Sequence, residues 1–191
     1  MVDLKNLAAE IHEAAVKRGF WDIEDAEEKH LAKMISELGE AVQADRAGVM
    51  YEIERDGAKP EGVVAELADF VMMALDYAAQ IDAMDSVMEG RNESERADAF
   101  VASNYKEIGS VETISGIYAA APAYKLVLAV AADTAEALGP LGTREDLFKV
   151  LGVGMHLISA WCKGRGYDLW EVIREKMAYN ESRPALHGRK Y

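Results

Sequence analysis

Between Glu61 and Glu89 the chain carries Glu66, Asp69, Asp76, Asp82 and Asp85, yet no lysine and no arginine. The residues among them include Val63, Val64, Leu67, Phe70, Val71, Met72, Met73 and Leu75. At the ~100° step of an α-helix this run is apolar nearly all round, so it belongs in a core, buried on most sides. Glu66 and Asp69 lie close together on it, and Met73 and Asp76 continue the same strip. Carboxylates there are desolvated and repel one another, and the helix itself offers no counter-charge. Something positive has to reach them from elsewhere, and that requirement limits what the rest of the chain can fold into.

The remaining sequence reads as helices separated by breakers. Asp3 caps a first helix with the stripe Leu4, Leu7, Ile11, Ala14 and Ala15, which Gly19 stops. A short aromatic turn, Gly19-Phe20-Trp21-Asp22, leads into a second helix from about Asp25 to Arg46, with Leu31, Met34, Ile35, Leu38 and Val42 on one face and Gly48 at its end. The loop from Asp56 to Pro60 precedes the acidic helix, expected over about Glu61 to Met84. Gly90–Glu95 reads as a linker, followed by a helix within Ala97–Ile108 and another over about Ile117–Leu138, broken near Pro122. Thr143, with Asp146 three residues on, caps a helix reaching about Gly164, and Asp168 starts a last short helix to about Tyr179. Strand-like alternation is lacking. The expected class is all-α, a helical bundle in a single domain spanning residues 1–191.

A weak internal repeat can be laid over this order, dividing the chain into 1–95 and 96–191. Met34–Arg46 aligns with Val127–Gly139, and Glu66–Met84 with Leu151–Leu169. Glu37, Glu40, Glu66 and Asp69 then correspond to Val130, Asp133, Leu151 and Gly154, so only the first half keeps its acids. Chance alignment of two apolar helices accounts for the match equally well.

Glu37 and Glu40 on the second helix are offset from its apolar stripe in the same sense as Glu66 and Asp69 on theirs. Two antiparallel helices joined by a loop bring the strips face to face, in a four-helix core where a cation offsets four carboxylates; the plainer reading of the same acids is a surface acid patch. Carboxylate oxygen is the hard donor that Mg²⁺ prefers, with Mn²⁺ as a substitute, and neither strip holds a histidine or cysteine that would favour zinc. Glu10/Glu13 and Glu24/Glu27 have the same spacing but sit beside Lys17, Arg18 and Lys29, and read as solvated faces. Glu27-x-x-His30 is one copy of a motif that a di-iron bundle needs twice. His30 and His156 read as structural.

The formal net charge of -13 excludes general binding of polymeric nucleic acid, which depends on Lys and Arg. A nucleotide is compatible with it, because a divalent cation can carry phosphate charge. Cys162 is the only cysteine; it lies in an apolar run and reads as a core residue of a reducing compartment. Met1–Arg18 is amphipathic rather than signal-like, and every apolar run falls short of the ~20 residues of a membrane span. The expected location is cytoplasmic, with no membrane partner.

Glu37-x-x-Glu40, a gap containing a loop, and Glu66-Leu67-Ala68-Asp69 together resemble the signature of the MazG-like all-α nucleoside triphosphate pyrophosphohydrolases. The aromatic turn at Gly19–Asp22 and the ending Glu175–Pro184 followed by His187-Gly188-Arg189-Lys190 are similar to segments of that family. The resemblance covers about residues 15–80 and 164–191. It implies that Glu37, Glu40, Glu66 and Asp69 bind Mg²⁺, that Glu37 or Glu40 also orients or deprotonates the attacking water, and that a (deoxy)nucleoside triphosphate is split into monophosphate and pyrophosphate. Lys176, Asn180, Arg183 and Lys190 become candidate triphosphate ligands, with a C-terminal helix end as the plainer reading. Trp21 is a candidate base-stacking residue or a core aromatic. Some 80 residues separate the third helix from the ending, either a degenerate second repeat, as in the family's two-repeat dUTPase-like branch, or helical decoration. A homodimer or higher homo-oligomer is expected. The rival readings are a non-catalytic helical module that binds nucleotide or protein, and a carboxylate-bridged redox metal protein.

Overall fold

A computed structural model describes residues 2–53, 58–82, 111–140 and 142–183. Seven helices and no strands occur among the described residues, so the chain is all-α. They are α1 (Leu4–Lys17), α2 (Ala26–Ala47), α3 (Val63–Gln80), α4 (Val111–Ala120), α5 (Ala123–Ala137), α6 (Arg144–Lys163) and α7 (Leu169–Glu181). The linker at Gly90–Glu95, the helix expected within Ala97–Ile108, the tail from Pro184 and Lys190 lie outside the described residues. The chain divides into two compact units, residues up to Ile81 together with α7, and the stretch between them. No helix is long and apolar enough to cross a membrane, among the described residues.

In the first unit α3 is the central element, packed against α1 and α2. Val63–Ala68, Phe70, Val71 and Ala74–Ala78 are all buried, as its composition requires. Asp69, Met72 and Met73 are only half-buried and mark the one open strip. Asp3 caps α1 by accepting from the Asn6 backbone N–H at 3.1 Å. Two ion-paired or hydrogen-bonded contacts tie α7 down, Arg174 to Glu10 of α1 and Tyr51 to Glu175.

The start of α3 is set by backbone rather than by a side-chain cap. Its orphan Val63 and Val64 N–H groups donate to the carbonyls of Val49 and Met50 at 3.1 and 3.0 Å. Glu52 and Glu61 exchange both backbone hydrogen bonds at 3.0 Å. Gly62 between them has φ +104°, and a Cβ there would stand 2.8 Å from the Met50 carbonyl carbon and oxygen. This close approach begins the helix at Val63 rather than Glu61, and places Glu66 in its first turn. Gly62→Ala combines a strained φ with a backbone clash, and is expected to destabilise the protein by about 2 kcal/mol or more. Thermal unfolding checks this; an unchanged midpoint would show that the turn has another conformation open to it. The helix ends at Gln80, short of the expected Met84, and Asp82 follows in the left-handed region at φ 55°.

The second helix turns a different face inward from the one its apolar stripe suggested. His30, Met34, Glu37, Leu38 and Ala41 are buried, whereas Ile35 is exposed and Leu31 and Val42 are only half-buried. The helix is rotated towards its own polar residues: His30 finds partners on α3 at the Met73 carbonyl and Asp76, and Glu37 is paired by Lys33 one turn before it on α2.

In the second unit α6 packs against α4 and α5. Pro122 separates α4 from α5, at the break expected near it. Thr143 and Asp146 form a reciprocal capping box at the start of α6. Carbonyls at the end of α4 are taken up by α6 and the turn after it. Trp161 Nε1 donates to Ala121 at 2.9 Å and Arg165 Nη1 to Ala119 at 2.8 Å. The Arg165 guanidinium also lies 3.8 Å from the Trp161 ring centre. Cys162 is buried, and burial pushes its thiol up to about 12, which suits a core residue.

Candidate metal centre and its cleft

A cleft of about 960 Å³ opens in the first unit between α1, α2, α3 and α7. The open strip of α3 forms its floor, from Glu66 through Asp69, Met72 and Met73 to Asp76. Glu37 and Glu40 enter from α2, and Lys176, Asn180 and Arg183 from α7 and the turn beyond it. Carboxylate oxygens of Glu37, Glu40 and Glu66 lie within 4.8 Å of one another. Glu37 is 3% exposed and Glu66 7%, whereas the Glu40 side chain is open at 51%.

The structure thus brings three of the four expected acids together. Asp69 is close enough to raise the proton affinity of Glu37 and Glu66, but its carboxylate meets Lys176 Nζ at 2.5 Å. Lys176 is 2% exposed and also donates to the Ala65 carbonyl at 3.0 Å. The residue expected as a phosphate ligand is therefore a buried counter-ion of the acid cluster. Two further lysines, unnoticed in the sequence, serve the same end. Lys33, one turn before Glu37, ion-pairs with it and lies 3.7 Å from Glu40. Lys59 approaches Glu66 at 3.9 Å. The i, i+4 spacing of Lys33 and Glu37 is a signal that could have found the first of these.

Burial first, then the charge of Asp69, pushes Glu37 up to about 7 despite Lys33. Burial likewise raises Glu66. Burial works against the Lys33 ammonium, but Glu37, Glu40 and Asp69 outweigh it and hold its proton more firmly than usual. The donor set fits a hard divalent cation. Ligands of one Mg²⁺ at ~2.1 Å stand roughly 3–4 Å apart, so small side-chain rotations close the Glu37, Glu40 and Glu66 oxygens onto one ion.

The other end of the α3 strip holds a network that sequence reading left out. Asp76, buried, meets His12 Nδ1 at 2.7 Å and accepts from Trp21 Nε1 at 3.1 Å. His30 Nε2 lies 2.8 Å from the Met73 carbonyl, and its Nδ1 is 3.7 Å from Asp76. The Trp21 ring stacks on His30 at 4.7 Å and faces Tyr77, whose hydroxyl donates to Glu27 at 2.5 Å. Trp21 is thereby engaged inside the fold, and His30 has the structural role expected of it. Burial raises Asp76 and lowers His30.

These environments give the metal-free protein a pH dependence. Glu37 binds its proton more tightly folded than unfolded, so its contribution is fully present below about pH 4.5 and disappears as pH rises through 7. The whole effect is up to about 3 kcal/mol, of which about 1 kcal/mol falls between pH 6.5 and 8. His30, lowered by burial, acts oppositely around and below its ordinary value near 6.5, so it offsets part of the carboxylate effect at the lower edge of this window without reversing it. Melting in EDTA is expected at a lower temperature at pH 8 than at pH 6.5, with saturating Mg²⁺ flattening the difference. A midpoint that rises with pH in EDTA would contradict this electrostatic picture.

In the second unit, the positions aligned with Glu37 and Asp69 are apolar. Val130 is buried, and its Cγ1 lies 3.4 Å from where a Cβ on Gly154 would be. Neither position offers a carboxylate, and the space beside Gly154 is taken by the Val130 side chain.

Comparison with protein-family models, with curated proteins and with solved structures finds no match to this chain.

Proposed function

We propose that the chain is a Mg²⁺-dependent pyrophosphohydrolase of (deoxy)nucleoside triphosphates, on the MazG-like pattern. The observation that carries this is the convergence of Glu37, Glu40 and Glu66 at one end of a cleft whose volume suits a nucleotide. Lys17, Arg18, Lys29 and Arg183 also line that cleft, placing cations around the acids of a strongly acidic protein. A surface acid patch would have no reason to be buried at Glu37 and Glu66 or to be matched by three lysines.

A bound Mg²⁺ would offset charge on the phosphate oxygens and lower the pKa of a coordinated water. Glu37, Glu40 and Glu66 would hold it, with Asp69 joining once released by Lys176. Glu37 or Glu40 orients the attacking water and takes its proton. The water oxygen bonds to phosphorus, the α–β bridge breaks, and pyrophosphate leaves with the electron pair. Arg183 and Asn180 hold the remaining phosphate oxygens. A cytoplasmic enzyme working as a homo-oligomer is part of the same reading.

A panel of deoxynucleoside triphosphates with Mg²⁺, assayed for pyrophosphate, tests it. Pyrophosphate release with at least one base is expected. Orthophosphate alone, or no turnover with any base, would overturn it.

A further inference from the structure

Lys33 occupies the position that the proposed cation needs. Its ammonium pairs with Glu37 and lies 3.7 Å from Glu40, two of the three carboxylates that converge. Its side chain is 35% exposed and lines the cleft, so it can leave the acids without unfolding anything. A divalent ion among the same oxygens repels an ammonium at that distance strongly, because both are partly withdrawn from water. The displaced lysine then needs another anion, and the cleft it lines is where a phosphate chain would lie.

We infer that Lys33 is an exchange cation: it neutralises Glu37 and Glu40 while the metal is absent, and passes to a phosphate oxygen of the ligand when the metal arrives. The inference rests on the proposed metal-dependent site. It makes metal and phosphate binding mutually reinforcing, since each gives the other's displaced charge a partner. It also assigns Lys33 a recognition role that depends on the metal being present.

The test uses Mn²⁺ and inorganic tripolyphosphate, which needs no knowledge of the base. Lys33→Met is expected to bind Mn²⁺ about tenfold more tightly than the wild type, followed by electron paramagnetic resonance without phosphate. Lys33→Arg, whose guanidinium grips carboxylates in a fork, is expected to bind Mn²⁺ more weakly than the wild type. By calorimetry, Lys33→Met is expected to weaken tripolyphosphate about tenfold with Mg²⁺ and to leave its affinity unchanged in EDTA. Equal weakening in both conditions would mean a general electrostatic role and overturn the exchange. Mn²⁺ binding that is the same in all three proteins would overturn it too, leaving the metal site standing. Failure of every protein to take up Mn²⁺ would overturn the metal site and the exchange with it.

Discussion

Glu66→Gln is expected to lower pyrophosphate release on the order of 10³-fold while leaving the fold intact. The side chain keeps its shape but loses the charge that a divalent cation requires, and electrostatic stabilisation of phosphoryl transfer at such sites is worth several kcal/mol. The fold survives for a reason specific to its surroundings. Glu66 is buried in the first turn of α3, and burial already favours its neutral form. An uncharged amide gives up attraction to Lys176 and Lys59 but also relieves repulsion from Asp69 and Glu40, and burial tips the sum towards the neutral form. The metal-free variant is therefore expected to melt at or slightly above the wild-type temperature, with unchanged helical circular dichroism and weakened Mn²⁺ binding. Asp69→Asn is expected to lose turnover as well. Wild-type activity in either variant would remove that residue from the metal assignment.

The second large effect is on stability. Lys176→Met is expected to destabilise the first unit by about 3 kcal/mol, because it leaves a partly buried carboxylate and a backbone carbonyl without their shared cation. Lys176 lies on α7, and its ammonium meets Asp69 and the Ala65 carbonyl, so the loss falls on the junction between α7 and α3. For a chain of this size the expected drop in melting temperature is roughly 6–12 °C. Removing the stranded charge as well, in Lys176→Met with Asp69→Asn, is expected to recover much of it, and Mg²⁺ to stabilise the single variant more than the wild type. A double variant no more stable than Lys176→Met would mean that packing of the lysine stem, not its charge, holds the helices together.

Much of this site is legible in the sequence because local rules and tertiary needs agree there. Asp3, Thr143 with Asp146, Gly48 and Pro122 end or break helices as their chemistry dictates. The nearly all-apolar run around Glu66 becomes a buried central helix, and the acids of α2 meet it at Glu37 and Glu40. What escaped is what depends on distant partners. The inward face of α2 follows His30 and Glu37 rather than Ile35, because a polar group can be buried where it has a partner, His30 on α3 and Glu37 in Lys33. The counter-charges come from three places in the chain, and nothing in the composition of α3 says which lysines they are. From its place in an aromatic turn Trp21 can stack on a base or on the core, and only the fold reveals that its indole N–H already belongs to Asp76. α3 starts two residues after Glu61 because its donors are satisfied by the backbone of Val49 and Met50, which no cap residue announces.

The chain closes its first unit only after making the whole of the second, because α7 follows α6 in sequence yet packs with α3. Lys176 follows the Ala65 carbonyl it binds by 111 residues. At the usual 5–20 residues per second of synthesis, roughly 5–20 s pass between the two. Throughout that interval the newborn α2–α3 pair presents Glu37, Glu66 and Asp69 without the buried counter-charge of Lys176, leaving them to Lys33, Lys59 and the more distant cations of the cleft. A nascent chain in this condition depends on its solution for the missing positive charge, so the yield of properly folded protein should follow the concentration of divalent cation during translation.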